Sequence, residues 1–304
     1  MDIANEGLER QRAKRKRVAR MKKMIIYTIV TFMILTLCVM TFLVVEVISL
    51  QRQIDNLSAK IAVAEDVVDT EEMVDDSFFD NLYLVDNLDN VAEEGDIPMV
   101  YLTFDDGPSE NTEQILDILD DYNVKATFFV VGEDPEVYGD AYRRIVEDGH
   151  TIGMHSYSHN YSKLYQSEDS FAADYNKIHQ LILDTTGVDT KYYRFPGGSS
   201  NKVSNTSMSV FINYLNEQGA TYYDWNVASG DATSQAFTAD DLVDNVMRDV
   251  VKYKTSVVLL HDATNKNATV EALPRLIESL NDAGAMILPI TDDTTIIQHV
   301  SVVQ

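Results

Sequence analysis

The chain has 304 residues, 45% of them hydrophobic, enough to bury a core, and carries 24 Lys plus Arg against 49 Asp plus Glu. Nine of the basic residues fall between Arg10 and Lys23, so the chain after residue 23 holds 15 basic and 46 acidic residues. An acidic body of that size excludes nucleic acid as a partner of the main domain, because phosphate binding needs a basic footprint.

In chain order, the basic segment 1–23 precedes "MIIYTIVTFMILTLCVMTFLVV", Met24–Val45, 22 residues without a charge. Roughly 20 residues of helix span a bilayer, so residues 24–46 are expected to form a transmembrane helix. The apolar run exceeds a signal peptide's and continues into "EVISLQRQ", which favours an uncleaved anchor. Basic residues stay inside, which puts the N-terminus in the cytoplasm and the chain from about residue 47 outside the cell membrane. The only cysteine, Cys38, lies within the span, so the exterior part has no disulfide and depends on its core or a metal.

Residues 47–96 are read as stalk and linker. Leu50, Ile54, Leu57, Ile61 and Ala64 recur at spacings of four and three, the period of a coiled-coil seam and a route to a homodimer. Residues 65–96 hold 13 acids and no Lys or Arg, the composition of an extended linker, although "FFDNLYLV" within it has the character of a docking segment.

From Ile97 to the end, short apolar runs alternate with helix-period segments. Strands are expected at "IPMVYLTF", "KATFFVV", "HTIGMH", "KYYRF", "ATYYDWNV", "TSVVLLHD" and "AMILPI", with amphipathic helices between most of them. This alternation predicts an α/β fold, either a (β/α) barrel or an open doubly wound sheet, over a domain spanning 97–304.

In such folds the C-terminal strand ends carry function. There the sequence places Asp105 and Asp106, His155 and His159, Arg194 before "PGGSSN", Asp231, and His261 with Asp262. Taken singly, each has an ordinary structural explanation: a turn, an exposed histidine pair, a salt bridge. Together, two imidazoles four residues apart plus a carboxylate make a three-ligand set with a position open for water, as at catalytic zinc. A second carboxylate beside such a set can take a proton from water, a histidine opposite can return one to a leaving group, and a Gly-rich turn can lend N–H groups to an oxyanion.

The strings "TFDDGP", "HSYSH", "RFPGG", "SGDA" and "LLH" stand in the order and approximate spacing of the five motifs of the polysaccharide deacetylases, the NodB homology domain or carbohydrate esterase family four. Residues 97–297 resemble that family. The resemblance implies a distorted (β/α) barrel of about seven strands and a metal site of Asp106, His155 and His159. It implies Asp105 as catalytic base, Arg194 orienting it, His261 as general acid and Asp231 tuning that histidine. Gly197 would donate its backbone N–H to the oxyanion, and Leu259 would line the acetyl pocket. The cofactor implied is a divalent metal, zinc, with cobalt or another divalent ion as alternatives. The substrate implied is cell-wall glycan, peptidoglycan N-acetylglucosamine first, then muramic acid or chitin-like and surface polysaccharide. A non-catalytic glycan-binding envelope protein is the contrasting class.

Two departures stand out. Ala232 follows Asp231 where the family often has Trp, and Gly197 stands where an aromatic residue is common. Of the other histidines, His150 is expected to support the site or its turn, His179 to lie on a polar helix face and His299 to belong to the tail. The "YYDWN" aromatics are read mainly as core.

Overall fold

The elements are β1 (Leu82–Leu84), β2 (Met99–Asp105), α1 (Thr112–Asp121), β3 (Thr127–Val131), α2 (Pro135–Glu147), β4 (Thr151–Ser156), α3 (Tyr161–Leu164), α4 (Glu168–Thr186), β5 (Tyr192–Tyr193), α5 (Met208–Glu217), β6 (Thr221–Tyr222), β7 (Val227–Ala228), α6 (Ala239–Val250), β8 (Thr255–His261), α7 (Asn267–Asp282), β9 (Met286–Ile287) and β10 (Val300–Val302). This computed structural model describes residues 82–84, 90–93, 95–204, 206–233 and 237–302, all within the unit Phe78–Gln304. The expected membrane span, the stalk heptads and most of the acidic linker lie outside the described residues. Among the described residues no helix is long and apolar enough to cross a membrane.

β2 is buried at every position after its first, as a parallel strand covered on both faces should be. Seven strands form one parallel sheet in the order β6-β5-β4-β3-β2-β8-β7, and β9 pairs with the start of β2. The two ends of that order are consecutive in the chain. Residues 221 and 222 pair with β5, residues 227 and 228 pair with β8, and only four residues lie between. The single strand expected from "ATYYDWNV" is therefore shared between two neighbours, and the sheet curls back on itself. This half-barrel is consistent with a distorted (β/α) barrel; the open doubly wound sheet is not what forms.

Strand alternation sorts the core into two layers. Leu102, Phe104, Phe128, Val130, Met154, Tyr193, Val258 and Leu260 belong to the cluster packed with the helices. Tyr101, Phe129, Tyr223, Val257, Ile290 and Ile297 form a second cluster. On β2 the residues alternating with the first set are Tyr101, Thr103 and Asp105, so the inner face runs from apolar at the start of the strand to acidic at its end. Gly153 makes room for the inner layer: a Cβ there would come 2.7 Å from the Phe129 ring and 3.2 Å from the Tyr192 carbonyl.

Helix starts are anchored by side chains that accept orphan N–H groups. Asp134 accepts from Glu136 before α2, and Ser167 and Thr238 form reciprocal capping boxes before α4 and α6. α3 was not among the expected elements; its four residues are too few to show a helical period.

The barrel unit also reaches back into the stretch read as linker. β1 pairs antiparallel with β10 near the C-terminus, Leu82 opposite Val302. Neither strand was expected, since three residues carry too little pattern. The buried Asn90 side chain donates to the Thr255 carbonyl and accepts from the Thr255 N–H, both at 2.7 Å, clamping this segment to the start of β8. Replacing Asn90 with Ala leaves both backbone groups without that partner. The expected cost is about 1–3 kcal/mol of unfolding free energy, measured by urea denaturation.

Candidate active site

β2 and β8 run in register to their ends, where Asp105 lies opposite His261. At Asp106 the chain leaves the strand with φ of +73°, a conformation uncommon for a residue with a side chain. This break in alternation lets both carboxylates approach one imidazole: His155 Nε2 is 3.5 Å from Asp106 Oδ1 and 3.9 Å from Asp105 Oδ2. His159, itself at φ of +44°, brings its Nε2 to 3.2 Å from Asp106 Oδ1.

The chemistry of these contacts points to a cation. His155 Nδ1 lies 2.9 Å from the Arg194 carbonyl, which can only accept, so Nδ1 carries the proton and Nε2 presents a lone pair. Burial pushes His155 down to about 3, keeping it neutral at ordinary pH. Asp106 Oδ1 is buried and has no hydrogen-bond partner among the described residues. The donor atoms of Asp106, His155 and His159 all lie within 4.8 Å of one another. A carboxylate oxygen and a lone pair facing each other without a proton between them fit a bound metal ion.

Beside this group, Asp105 is held from within the barrel. Arg194 Nη1 donates to Asp105 Oδ1 at 2.9 Å and to Thr103 Oγ1 at 2.6 Å, while Nε and Nη2 donate to the carbonyls of Tyr223 and Asp224 at 3.0 Å. Arg194 is fully buried, with its guanidinium 4.3 Å from the Phe129 ring centre. Burial raises the Asp105 carboxyl above its ordinary range, against the opposing pull of Arg194.

His261 faces the site from β8 with its Nδ1 2.8 Å from Asp231 Oδ1, and its backbone N–H donates to Asp231 Oδ2 at 2.8 Å. Thr269 and Lys266 complete the setting of Asp231, the first at its side chain and the second at its carbonyl. Burial alone would lower the His261 imidazole, but the hydrogen bond and charge of Asp231, then the charges of Asp105 and Asp106, raise it above its usual value. Gly197 stands in the turn after β5 at φ of +78°. Leu259 is half-buried two residues before His261, in register with Thr103 and Ala228.

Comparison with known proteins identifies the family. The family model described as polysaccharide deacetylase matches residues 92–215. A peptidoglycan-N-acetylglucosamine deacetylase of Bacillus cereus is 30% identical over 189 residues, 61% of this chain and 67% of the relative. A chitooligosaccharide deacetylase of Sinorhizobium fredii is 30% identical over 62% of this chain and 89% of its own. The crystal structure of the catalytic domain of peptidoglycan N-acetylglucosamine deacetylase from Eubacterium rectale is 38% identical, covers 71% of this chain and 97% of that one, and superposes with a TM-score of 0.64.

The chain belongs to the polysaccharide deacetylase family. It is a hydrolase acting on amide bonds, and the donor atoms of Asp106, His155 and His159 are placed where they could hold a metal ion.

Several residues that hold this deacetylase site were not singled out by their sequence context. Asp174, buried on α4, accepts from Ser156 Oγ at 2.8 Å and from the N–H groups of Tyr157 and Ser158 at 2.7 and 3.0 Å; Ser156 Oγ in turn accepts from the His159 N–H at 2.9 Å. Asp224, also buried, accepts from the Ser199 N–H and hydroxyl and from the His299 N–H, fixing the turn that contains Gly197. His299 is thus more than tail: its Nε2 meets the Trp225 carbonyl at 2.7 Å, and its ring is edge-on to Trp225. A Cβ on Gly198 would come 3.1 Å from the Trp225 ring, so the lone tryptophan borders the same turn. Asp262 binds Ser109 and Thr112, tying the turn after Asp106 to the end of β8, and burial raises it to about 6. His150 lies at the other end of β4, away from the site, and accepts from the Ala126 N–H, so it supports the entry to its strand and not the site. His179, on α4, pairs with Asp189 at 2.8 Å. The only signal for Asp174 and Asp224 was an acid inside an otherwise apolar or aromatic stretch.

The Asp231–His261 pair has a pH signature. The folded imidazole sits above 6.5, so the pair's stabilisation is full below that value and is lost as pH rises through the raised one. Asp231→Asn removes the partner and is expected to lower the His261 pKa and flatten that decline. An NMR titration of the metal-free protein, with unfolding curves across the same pH range, measures both.

Proposed function

We propose that this protein removes acetyl groups from N-acetylated amino sugars of cell-wall glycan, N-acetylglucosamine of peptidoglycan before muramic acid or chitin-like polymers. One observation carries the reading. A buried Asp106 oxygen without a hydrogen-bond partner faces two imidazoles, beside a second carboxylate that Arg194 holds in place and opposite a histidine paired with Asp231. A non-catalytic glycan-binding protein would have no need of that full set.

Asp106, His155 and His159 would hold a divalent cation, zinc first and cobalt or another divalent ion as alternatives, supplying Lewis acidity to the acetamide carbonyl and to water. The residues of the chain do the rest. Asp105, with one oxygen held by Arg194, takes a proton from the attacking water as a C–O bond forms to the acetyl carbon. The Gly197 N–H donates to the developing oxyanion. His261, whose protonated form Asp231 favours, gives its proton to the sugar nitrogen as the C–N bond breaks, leaving acetate and a free amine. Leu259 lines the side of the acetyl group.

The reading separates residues by what they lose. Asp105→Asn is expected to cut acetate release from wall glycan on the order of a thousandfold while zinc stays bound, whereas His155→Ala loses both. Acetate assay and metal analysis of the two proteins check this, and unimpaired release by Asp105→Asn would sink the assignment. Mass spectrometry of treated wall fragments places the lost acetyl group on one sugar or the other.

The substrate's location suits a membrane-anchored enzyme with residues 24–46 as a single span, the N-terminus cytoplasmic and the catalytic domain outside, the stalk pairing two copies. The support is the uncharged run behind a basic cluster. The full chain is expected in the membrane fraction and a chain starting at residue 78 in the soluble one; equal partition of both would refute the anchor.

A further inference from the structure

We infer that Tyr161 is a second hydrogen-bond donor at the acyl site, its hydroxyl sharing the acetyl carbonyl oxygen with the Gly197 N–H; this rests on the deacetylase reading. Tyr161 opens α3 two residues beyond His159 and spans the gap between the metal-ligand group and the turn after β5. Its ring lies edge-on to His159, with centroids 5.5 Å apart at 86°. Its far end reaches Gly197, where an added Cβ would lie 3.1 Å from Tyr161 Cε1 and 3.2 Å from the hydroxyl oxygen.

The placement accounts for the glycine. Backbone φ of +78° disfavours any side chain at 197, and Tyr161 already occupies the room one would enter. The aromatic wall absent from the turn is supplied instead from α3. Two neighbours orient it: Tyr165 packs edge-on against Tyr161, with centroids 6.1 Å apart, and spends its own hydroxyl on the Pro196 carbonyl at 2.8 Å, bracing the turn. The Tyr161 hydroxyl, half-buried, has no hydrogen-bond partner among the described residues. A donor held at a turn whose N–H faces developing negative charge, and not used by the protein itself, suits an oxyanion hole.

Tyr161→Phe tests this because it keeps the ring beside His159 and removes only the hydroxyl. In full-length, zinc-loaded protein acting on chitopentaose, kcat is expected to fall on the order of a hundredfold with KM within about twofold. Zinc affinity, measured by competition with a chromophoric chelator, is expected to stay unchanged. Acetate titrated into the zinc-loaded protein by calorimetry is expected to bind about tenfold more weakly to the variant. Wild-type kcat in Tyr161→Phe, or a loss that follows weakened zinc binding, overturns the inference. If the wild-type protein releases no acetate, the deacetylase reading fails, and the acetate titration still decides for or against Tyr161 as a donor to a carboxyl oxygen.

Discussion

A guanidinium with no exposed surface lies beneath the site, and burying a charge is tolerable only when every donor finds an acceptor. Arg194 places four of its five N–H groups, on Thr103 and Asp105 of β2 and on the Tyr223 and Asp224 carbonyls beyond β6. Two of these acceptors lie on β2 and two between β6 and β7, the ends of the sheet order, so the arginine ties the sheet's curl to the position of Asp105. Its cation stacks on Phe129, which fits because Gly153 on the next strand has no side chain. The same burial that requires the ion pair also raises the Asp105 carboxyl, and a more basic carboxylate is a better proton acceptor.

The adjacent acids divide their work through backbone geometry. Asp105 belongs to the inner face of β2, whereas Asp106, turned into the left-handed region, presents an oxygen to His155 and His159. Left-handed backbone at two of the three residues in the Asp106, His155 and His159 cluster is a local cost that surrounding structure must hold. Asp174 does so for the histidine turn through Ser156, and Asp262 does so for the turn after Asp106 through Ser109 and Thr112. Asp224 plays the corresponding part for the turn containing Gly197. Three buried carboxylates thus shape the three turns around the reacting groups.

Much of this was legible in the chain itself. Asp105, Asp106, His155, His159, Arg194, Asp231 and His261 each sit directly at or after an apolar run, and in parallel α/β folds all such run ends meet at one edge. Seven strand segments, one of which holds both β6 and β7, and the longer helices were legible because their periodicity is local. Asp174 and Asp224 were not, because an Asp within an amphipathic helix or an aromatic strand looks like any solvated acid until its burial is known. Tyr161 was hidden for a related reason: its partner Gly197 lies 36 positions away, and the signal was only the lack of a side chain there. Within the stretch read as linker, β1 is held by β10 and Asn90 by Thr255, contacts too distant in the chain for local composition to record.

By itself, the sequence determined the alternation of strand and helix, the acidic body behind a basic, apolar N-terminus, and the identity of the groups able to do chemistry, because these depend on residue type and short spacing. Tertiary structure alone decided that one segment, 221–228, serves two strands and curls the sheet. It also decided which nitrogen of His155 is free, and that Tyr161 stands where Gly197 has no side chain. Those outcomes rest on hydrogen bonds and packing between residues far apart in the chain, where no local pattern records which groups will meet.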